Sequence, residues 1–555
     1  MNAFARSKLS ENLTNTNVGR STYLTVGFVF LSATVFFIIT RLGLLDHLAI
    51  YDELYHKLTA LSWKETAQPT ILDGQYRRAL FYTIANASIF EYFNTNDIYY
   101  PRLILSVLPA ALMCASIISW IYLNAGLATS ALVAVFLGFW PLGIEVAQFN
   151  RFYAAHGLFL WIMIISTFAA FNEKRSPVFR LFLLFLSAIS GAAAVGLQLI
   201  SLVTVAGIFV WIAVFHFLPN LHPRTLKISY RKIAIAFVGL LSVLCIYYFF
   251  SRSIVYFVQL LHWDPTGSNV DLTYYSRRIR EFYPIFWGIS GFFLIISLLK
   301  LPKLTLFLAT ILFFQFLVIS ISSHKGDRFL FHIMPSIFVI WSVGLCGVFE
   351  HFRKLFITDK KDFRGENLFF QKHRSTALCL LVFSTIFCLA TIPALTRSAG
   401  LISGEGGVTK MLTEPRLDWQ TAAEFSMDVL EQGGVIVTNK ELHAIEILGD
   451  IDFGFNKSRL AELNTNSRPF SLDPRIGRPL IDDVGSFEKI INCFPVGLFL
   501  VSDRWWWGSR LARKIEAMVR SRFDDTDLRI DGDFVMLVWR GDGEIGIDKS
   551  CQSLS

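Results

Sequence analysis

TYLTVGFVFLSATVFFIIT, residues 22–40, runs for nineteen positions without a charged side chain, and YDELYH, residues 51–56, begins shortly after it. A helix of about 20 mainly apolar residues crosses ~30 Å of hydrocarbon, so the first stretch reads as a membrane span. It is too long for a signal peptide and lacks a small-residue cleavage site. The second places an acidic pair among aromatic residues at the mouth of that span. Further apolar runs lie near 102–123, 127–147, 152–171, 180–196, 197–217, 233–251, 283–299, 304–322, 329–349 and 376–395. Together they predict an α-helical polytopic membrane protein with about eleven transmembrane helices.

Composition supports that class. Of 555 residues, 54% are hydrophobic and 17% charged, and 53 are Phe. Soluble proteins average roughly 45–50% apolar and ~25% charged. The balance excludes a disordered chain, a small disulfide scaffold and a conventional soluble enzyme. The 35 Gly and 17 Pro are ordinary for this length and exclude a collagen-like chain. No internal repeat or low-complexity run is visible.

The run from Arg180 to Phe217 decides the parity of everything after it. As one helix it would extend about 57 Å, nearly twice the hydrocarbon thickness. Gly191 and Gly196 lie near its middle, so it is divided into two spans. Charge bias agrees with that division, because cytoplasmic loops carry excess Lys and Arg. With Arg6, Lys8 and Arg20 inside, the predicted inner loops hold Lys174 and Arg175; Arg224, Lys227, Arg231 and Lys232; Lys300 and Lys303; and the basic cluster from Arg353 to Arg374. The first outer loop is acidic instead, with Asp46, Asp52, Glu53, Glu65, Asp73, Glu91 and Asp97. The net charge of +8 therefore marks membrane orientation and not a nucleic-acid partner.

This predicts a cytoplasmic tail over 1–21, a transmembrane region over 22–396 with a large first outer loop at 42–100, and an extracytoplasmic soluble domain over 397–555. That last part has α/β texture: Val435 to Thr438, Gly497 to Ser502 and Phe534 to Trp539 read as buried strands. Segments 415–431 and 508–522 read as amphipathic helices. Cys493 and Cys551 lie in this domain and are placed to pair in an oxidising compartment; no cysteine spacing reads as a metal site. The Asn-x-Ser/Thr triplets at Asn86 and Asn456 fall on the outer side.

Four polar clusters collect on that outer side. The first is Tyr51-Asp52-Glu53-Leu54-Tyr55-His56, where Asp52 and His56 share a helix face. The second is Gln75-Tyr76-Arg77-Arg78-Ala79-Leu80. The third is Asn150-Arg151-Phe152-Tyr153, in a tight turn between two spans, where the charge bias disfavours an arginine. The fourth is Ser323-His324-Lys325-Gly326-Asp327-Arg328-Phe329, whose cations would suit a lipid phosphate. Each also has a bland role: a helix N-terminus with acidic residues, an interfacial Tyr/Arg anchor, or snorkelling cations. Arg252, Arg277, Arg278 and Arg280 add scattered charge, and Trp505-Trp506-Trp507 suits either a sugar face, the bilayer surface or simple packing.

These motifs, in this order on one membrane side, resemble the GT-C superfamily of polyprenyl-phosphate-sugar-dependent glycosyltransferases. The Tyr-x-Arg-Ala of Tyr76 to Ala79 and the Arg-x-Tyr of Arg151 and Tyr153 are similar to its protein mannosyltransferase and aminoarabinose transferase branch. His324 to Phe329 resembles the H-K-E-x-R-F loop of lipid mannosyltransferases, departing at Gly326. The resemblance covers roughly residues 20–400 and implies transfer of a sugar from a polyprenyl-phosphate donor to a glycan, lipid or protein acceptor.

The side chains have the chemistry for this. Either carboxylate, Asp52 or Glu53, has the chemistry to take the acceptor proton; Asp52 leads the resemblance motif and is the expected general base, with Glu53 positioning the acceptor or a neighbouring cation. Arg151, His324, Lys325 and Arg328 would stabilise the departing phosphate. His56, Tyr76, Arg77, Arg78 and Tyr153 complete the substrate-binding candidates. An acceptor attacking opposite the phosphate would invert the anomeric carbon. The donor carries its own leaving group, so no nicotinamide or nucleotide cofactor is required. Asp52, Glu53, His56 and His324 have the chemistry to hold a divalent ion, although no spacing demands one. The main alternative, a transporter or flippase for a lipid-linked or anionic solute, calls for ionisable groups near the midplane and matching halves. A different membrane transferase, such as a polysaccharide ligase, is a further alternative.

Overall fold

The computed structural model of the chain describes residues 20–43, 45–47, 49–171, 175–217, 271–322, 325–358, 368–404, 419–456, 470–531 and 534–541. Among them, seven helices are long and apolar enough to cross a membrane: Thr22–Ile39, Tyr99–Ala125, Tyr153–Ala170, Pro177–Leu197, Pro302–Ile321, Met334–Phe352 and Ser384–Ile402. The run expected near 127–147 is instead two helices, Leu127–Gly138 and Pro141–Ala147, bent by 63°. The bend has a local cause. Pro141 lacks an amide proton and pushes the residue before it out of helical geometry, and Trp140 is extended at φ −94 and ψ 104.

The divided stretch behaves as its length requires. Pro177–Leu197 ends at Gln198, which is extended, and a new helix runs from Ser201 to Ile212. Among the described residues, Ser201–Phe215 and Ser290–Lys300 are shorter apolar helices, so the expected count of about eleven spans is not confirmed. The expected span at 233–251 lies outside the described residues. The last helix, Leu368–Ile402, continues past the expected boundary at 396.

The stretch that follows the first span has secondary structure of its own. It contains a helix from Tyr51 to Thr66, a small hairpin of β1 (Thr70–Ile71) and β2 (Gly74–Gln75), and a second helix from Leu80 to Tyr92. Asp52 and Glu53 occupy the first turn of the first helix, where the helix dipole favours negative charge. Glu53 also reaches back to accept the Ile50 amide at 3.0 Å, satisfying a donor that the helix start leaves open.

The C-terminal part folds around a seven-stranded sheet. Its strands are β3 (Val435–Thr438), β4 (Phe453–Phe455), β5 (Ser471–Leu472), β6 (Pro479–Ile481), β7 (Val496–Ser502), β8 (Asp525–Asp531) and β9 (Phe534–Arg540). They lie in the order β5-β6-β4-β3-β7-β9-β8. β6, β4, β3 and β7 run parallel, and β5, β8 and β9 add antiparallel edges. Every residue of β3 is buried, as expected for a parallel strand covered on both faces. The helices expected at 415–431 and 508–522 appear as Trp419–Glu431 and Arg510–Arg522. Trp506 is buried, Trp505 packs edge-on to Phe455 and Phe499, and Trp507 alone of the three is exposed. Cys493 is disulfide-bonded; Cys551 lies outside the described residues.

One face of this sheet shares a core with the segment that follows the first span. Leu54, Tyr55, Ile71 and Tyr76 pack in one cluster with Ile436, Leu442, Ile445, Ile476 and Leu498. Burial of each such aliphatic side chain contributes about 1.5–3 kcal/mol relative to exposure. That segment and the C-terminal domain therefore support each other.

Candidate active site

Three segments meet above the helical bundle: the first turn of Tyr51–Thr66, the connection from Ala147 to Tyr153, and the loop from Lys325 to Leu330. They bring Asp52, Arg151 and Arg328 together. Arg328 donates from Nη1 to Asp52 Oδ2 at 2.9 Å, and Arg151 Nη2 lies 3.6 Å from the same oxygen. Arg151 also donates to the Asp52 backbone carbonyl. Arg151 is 3% exposed and Asp52 23%, so the carboxylate is the more accessible of the pair. The Tyr153 ring faces both guanidiniums, at 5.6 Å from Arg151 and 5.7 Å from Arg328. Arg78, on the surface, lies over Phe152.

Burial alone would raise the Asp52 pKa, but the guanidiniums of Arg151, Arg328 and Arg78 outweigh it and hold the carboxyl below its usual range. For Arg151, desolvation opposes the charge, and Asp52 more than restores it. Because the Asp52 pKa is depressed, the stability gained from its pairing is present at neutral pH and is lost as pH falls through the folded value.

Glu53 faces elsewhere. It is fully buried and accepts Arg102 Nε at 2.9 Å and Arg102 Nη2 at 2.6 Å, a two-pronged ion pair. Its remaining oxygen positions accept the amides of Ile50 and Asn150. Arg102 in turn donates to the carbonyls of Leu45 and His47. Glu53 thus ties together the start of its own helix, the end of the first span, the next span and the Arg151 turn. Removing one partner of a buried pair strands a charge and costs about 3–5 kcal/mol. Glu53→Ala is accordingly expected to lower the melting temperature sharply, and Asp52→Asn to lower it less, because Asp52 is 23% exposed and the amide oxygen can still accept from the arginines. Equal melting of both variants would contradict this division of labour.

A buried polar network supports the same turn. Tyr82 donates to Asn150 Oδ1 at 2.7 Å, and Asn150 Nδ2 donates to Asn86 Oδ1 at 2.6 Å. Asn86 is fully buried, so its Asn-x-Ser triplet does not present an outer glycosylation site. Of the other expected residues, His56 is buried among the rings of Tyr76, Tyr82 and Phe152, and both ring nitrogens lack a partner among the described residues. Burial, then the Arg151 and Arg78 charges, push its pKa well below the ordinary value, which favours the neutral ring. Tyr76 stacks on Tyr55 at 4.8 Å, and Arg77 is exposed.

Lys325 is not turned toward Asp52. Its ammonium donates to the carbonyls of Ile319 and Ser320, at 3.0 and 2.5 Å, capping the helix Pro302–Ile321. His324 lies outside the described residues. The loop is held by residues that sequence reasoning left in the background. Arg278 donates to both oxygens of Asp327 at 2.8 and 2.6 Å, Tyr274 adds a bond at 2.8 Å, and the Gly326 amide donates to Tyr275. Arg102 was also missed. A lone arginine at the mouth of an apolar span is the same signal that singled out Arg151. Among the described residues, no three His, Cys, Asp or Glu side chains gather to hold a metal.

The sequence matches no family model and no curated relative. Its fold, however, is shared with solved proteins. It is similar to the aminoarabinose transferase ArnT from Cupriavidus metallidurans, solved bound to undecaprenyl phosphate. The two are 12% identical, with a TM-score of 0.57 over 94% of this chain and 98% of that one. It is also similar to the archaeal oligosaccharyltransferase AglB from Archaeoglobus fulgidus, solved with an inhibitory peptide and a dolichol-phosphate. Here identity is 10% and the TM-score 0.51, over 96% of this chain and 76% of that one.

Proposed function

We propose that this protein, an integral membrane protein with the GT-C fold of those two transferases, moves a sugar from a polyprenyl-phosphate to an acceptor hydroxyl on the extracytoplasmic face. The observation that carries this is the meeting of Asp52 with Arg151 and Arg328 at the mouth of an apolar bundle. A prenyl tail requires hydrocarbon and its phosphate requires the interface, because a bare phosphate cannot enter the core cheaply. Arginine forks match phosphate oxygens in pairs.

In the step, Asp52 accepts the proton of the acceptor hydroxyl as its oxygen bonds the anomeric carbon. The bond from that carbon to the phosphate oxygen breaks, and its electron pair leaves with the lipid phosphate. Arg151 and Arg328 stabilise that developing charge. Attack opposite the phosphate inverts the anomeric centre, and no further cofactor is consumed. The undecaprenyl phosphate bound by ArnT and the dolichol-phosphate bound by AglB support a donor of this chemical class. Purified protein incubated with a panel of polyprenyl-phosphate sugars is expected to release lipid phosphate from at least one. Release from none would sink the proposal.

The orientation proposed with it has a cytoplasmic N-terminus and 350–375 loop, with Asp52, Arg328 and the sheet domain outside. The disulfide at Cys493 favours that side for the domain. Single cysteines near Asp52 and in the Lys325–Leu330 loop should both label with an impermeant reagent from outside, and one at 360 should not. Labelling of the first two from opposite faces would contradict the orientation.

A further inference from the structure

We infer that Glu441, carried by the C-terminal domain, is a positioning residue for Asp52: it holds Tyr51 and so sets the backbone from which Asp52 meets the two arginines. This rests on the role of Asp52 proposed above. Tyr51 immediately precedes Asp52 and donates from its hydroxyl to Glu441 Oε2 at 3.2 Å. Glu441 is 2% exposed, and its other oxygen accepts Asn456 Nδ2 at 3.2 Å. The Tyr51 ring sits beside His443, which stacks on Trp419 with ring centres 5.5 Å apart. Glu441, His443 and Trp419 all belong to the C-terminal domain, so that domain grips the turn that carries Asp52.

The grip is continuous along the helix. Lys57 pairs with Glu446, and Arg475 lies over the Tyr55 ring at 4.9 Å. At the hairpin, the Gln75 backbone N–H donates to the Pro474 carbonyl at 2.8 Å, and Asp73 pairs with Arg478. Gly74 approaches the Arg475–Ile476 backbone so closely that a Cβ there would lie 2.3 Å from it. These contacts fix the helix as a body. The Tyr51–Glu441 bond differs because it acts one residue from the reacting carboxylate. Both the carboxylate and the carbonyl of Asp52 are engaged by arginines, so a small backbone shift at Tyr51 moves both contacts together. A misplacement of about 1 Å at a reacting group can cost up to ~100-fold in rate.

The test uses full-length protein in lipid nanodiscs, with Tyr51→Phe, Glu441→Ala, Glu441→Gln and the double variant Tyr51→Phe/Glu441→Ala. Two quantities are read: kcat and KM for release of lipid phosphate, and the rate at which phenylglyoxal modifies Arg328, followed by peptide mass. Tyr51→Phe and Glu441→Ala should each lower kcat by roughly 10- to 100-fold with donor KM little changed, and speed modification of Arg328 several-fold. The double variant should be no worse than the worse single, as for one shared interaction. Glu441→Gln can still bond the Tyr51 hydroxyl and should keep most activity. Glu446→Gln, at the same interface but a turn or more away, should leave kcat unchanged. A loss of melting temperature with kcat of the folded protein unchanged, or unaltered Arg328 reactivity, would overturn the inference. If Glu441→Ala does not fold, Tyr51→Phe decides, since it deletes one oxygen. Should wild-type protein release no lipid phosphate, the transferase proposal fails while the Arg328 reactivity still decides whether Glu441 positions Asp52.

Discussion

Asp52→Asn is expected to lower turnover by roughly 10²- to 10⁴-fold, the usual worth of a general base, while donor binding is retained. The amide has the size of the carboxylate but cannot accept the acceptor proton. It also releases Arg151 and Arg328 from their ion pairs, so donor affinity should hold or rise. That split separates a lost base from a disrupted site, in which both quantities would fall. Before the donor arrives, the arginines hold Asp52 at a depressed pKa, which makes it a weak base. In the proposed mechanism the donor phosphate would draw the guanidiniums to itself, leaving burial to raise the Asp52 pKa and sharpen its basicity. The acid limb of kcat reports the donor complex and that of kcat/KM the free enzyme. The first should therefore lie at higher pH than the second, and Asp52→Asn should abolish both. Near-wild-type turnover in Asp52→Asn would remove this residue from the mechanism.

Much of this site was legible in the sequence because its polar residues interrupt apolar runs. Arg151 and Arg328 each sit at the edge of a hydrophobic stretch, where a charge is conspicuous, Asp52 opens the acidic-aromatic motif that follows the first span, and the structure brings all three together. Which of Asp52 and Glu53 faces the arginines was not legible. Adjacent helical positions point about 100° apart, and only the placement of Arg102 and Asn150 shows that Glu53 takes the buried side. Lys325 is a related case: its charge was visible in the sequence, but not the open carbonyls of Ile319 and Ser320 to which it donates. The bend before Pro141 was readable from the proline itself, although hydropathy alone suggested an unbroken span. The shared core of the first loop and the C-terminal sheet lay beyond reach, since Leu54 and Ile436 are joined only through tertiary packing.

Replacing Arg328 should produce the other large loss. Removing one group that stabilises developing charge typically costs about 10²- to 10³-fold in turnover, and Arg328→Ala is expected in that range. Arg328→Lys keeps the charge but loses the planar fork, so it should fall between Arg328→Ala and wild type. Arg151 will look worse for a reason unrelated to phosphate. It is buried, and it holds the Asp52 carbonyl as well as facing its carboxylate, so Arg151→Ala perturbs the base and strands part of the site. Arg328 is therefore the cleaner probe. Its loop is anchored through Asp327 to Arg278 and through Gly326 to Tyr275, and those contacts survive its replacement. Arg280 is exposed on the neighbouring helix Tyr274–Phe282 and serves as the control for general surface charge. Donor affinity and turnover would be compared for each variant at one fixed salt concentration, because screening weakens exposed charges more than buried ones. Arg328→Ala should depress turnover far more than Arg280→Ala. Small and equal effects at Arg151, Arg328 and Arg280 would mean that these cations only anchor the protein at the membrane surface, and the phosphate would have to bind elsewhere.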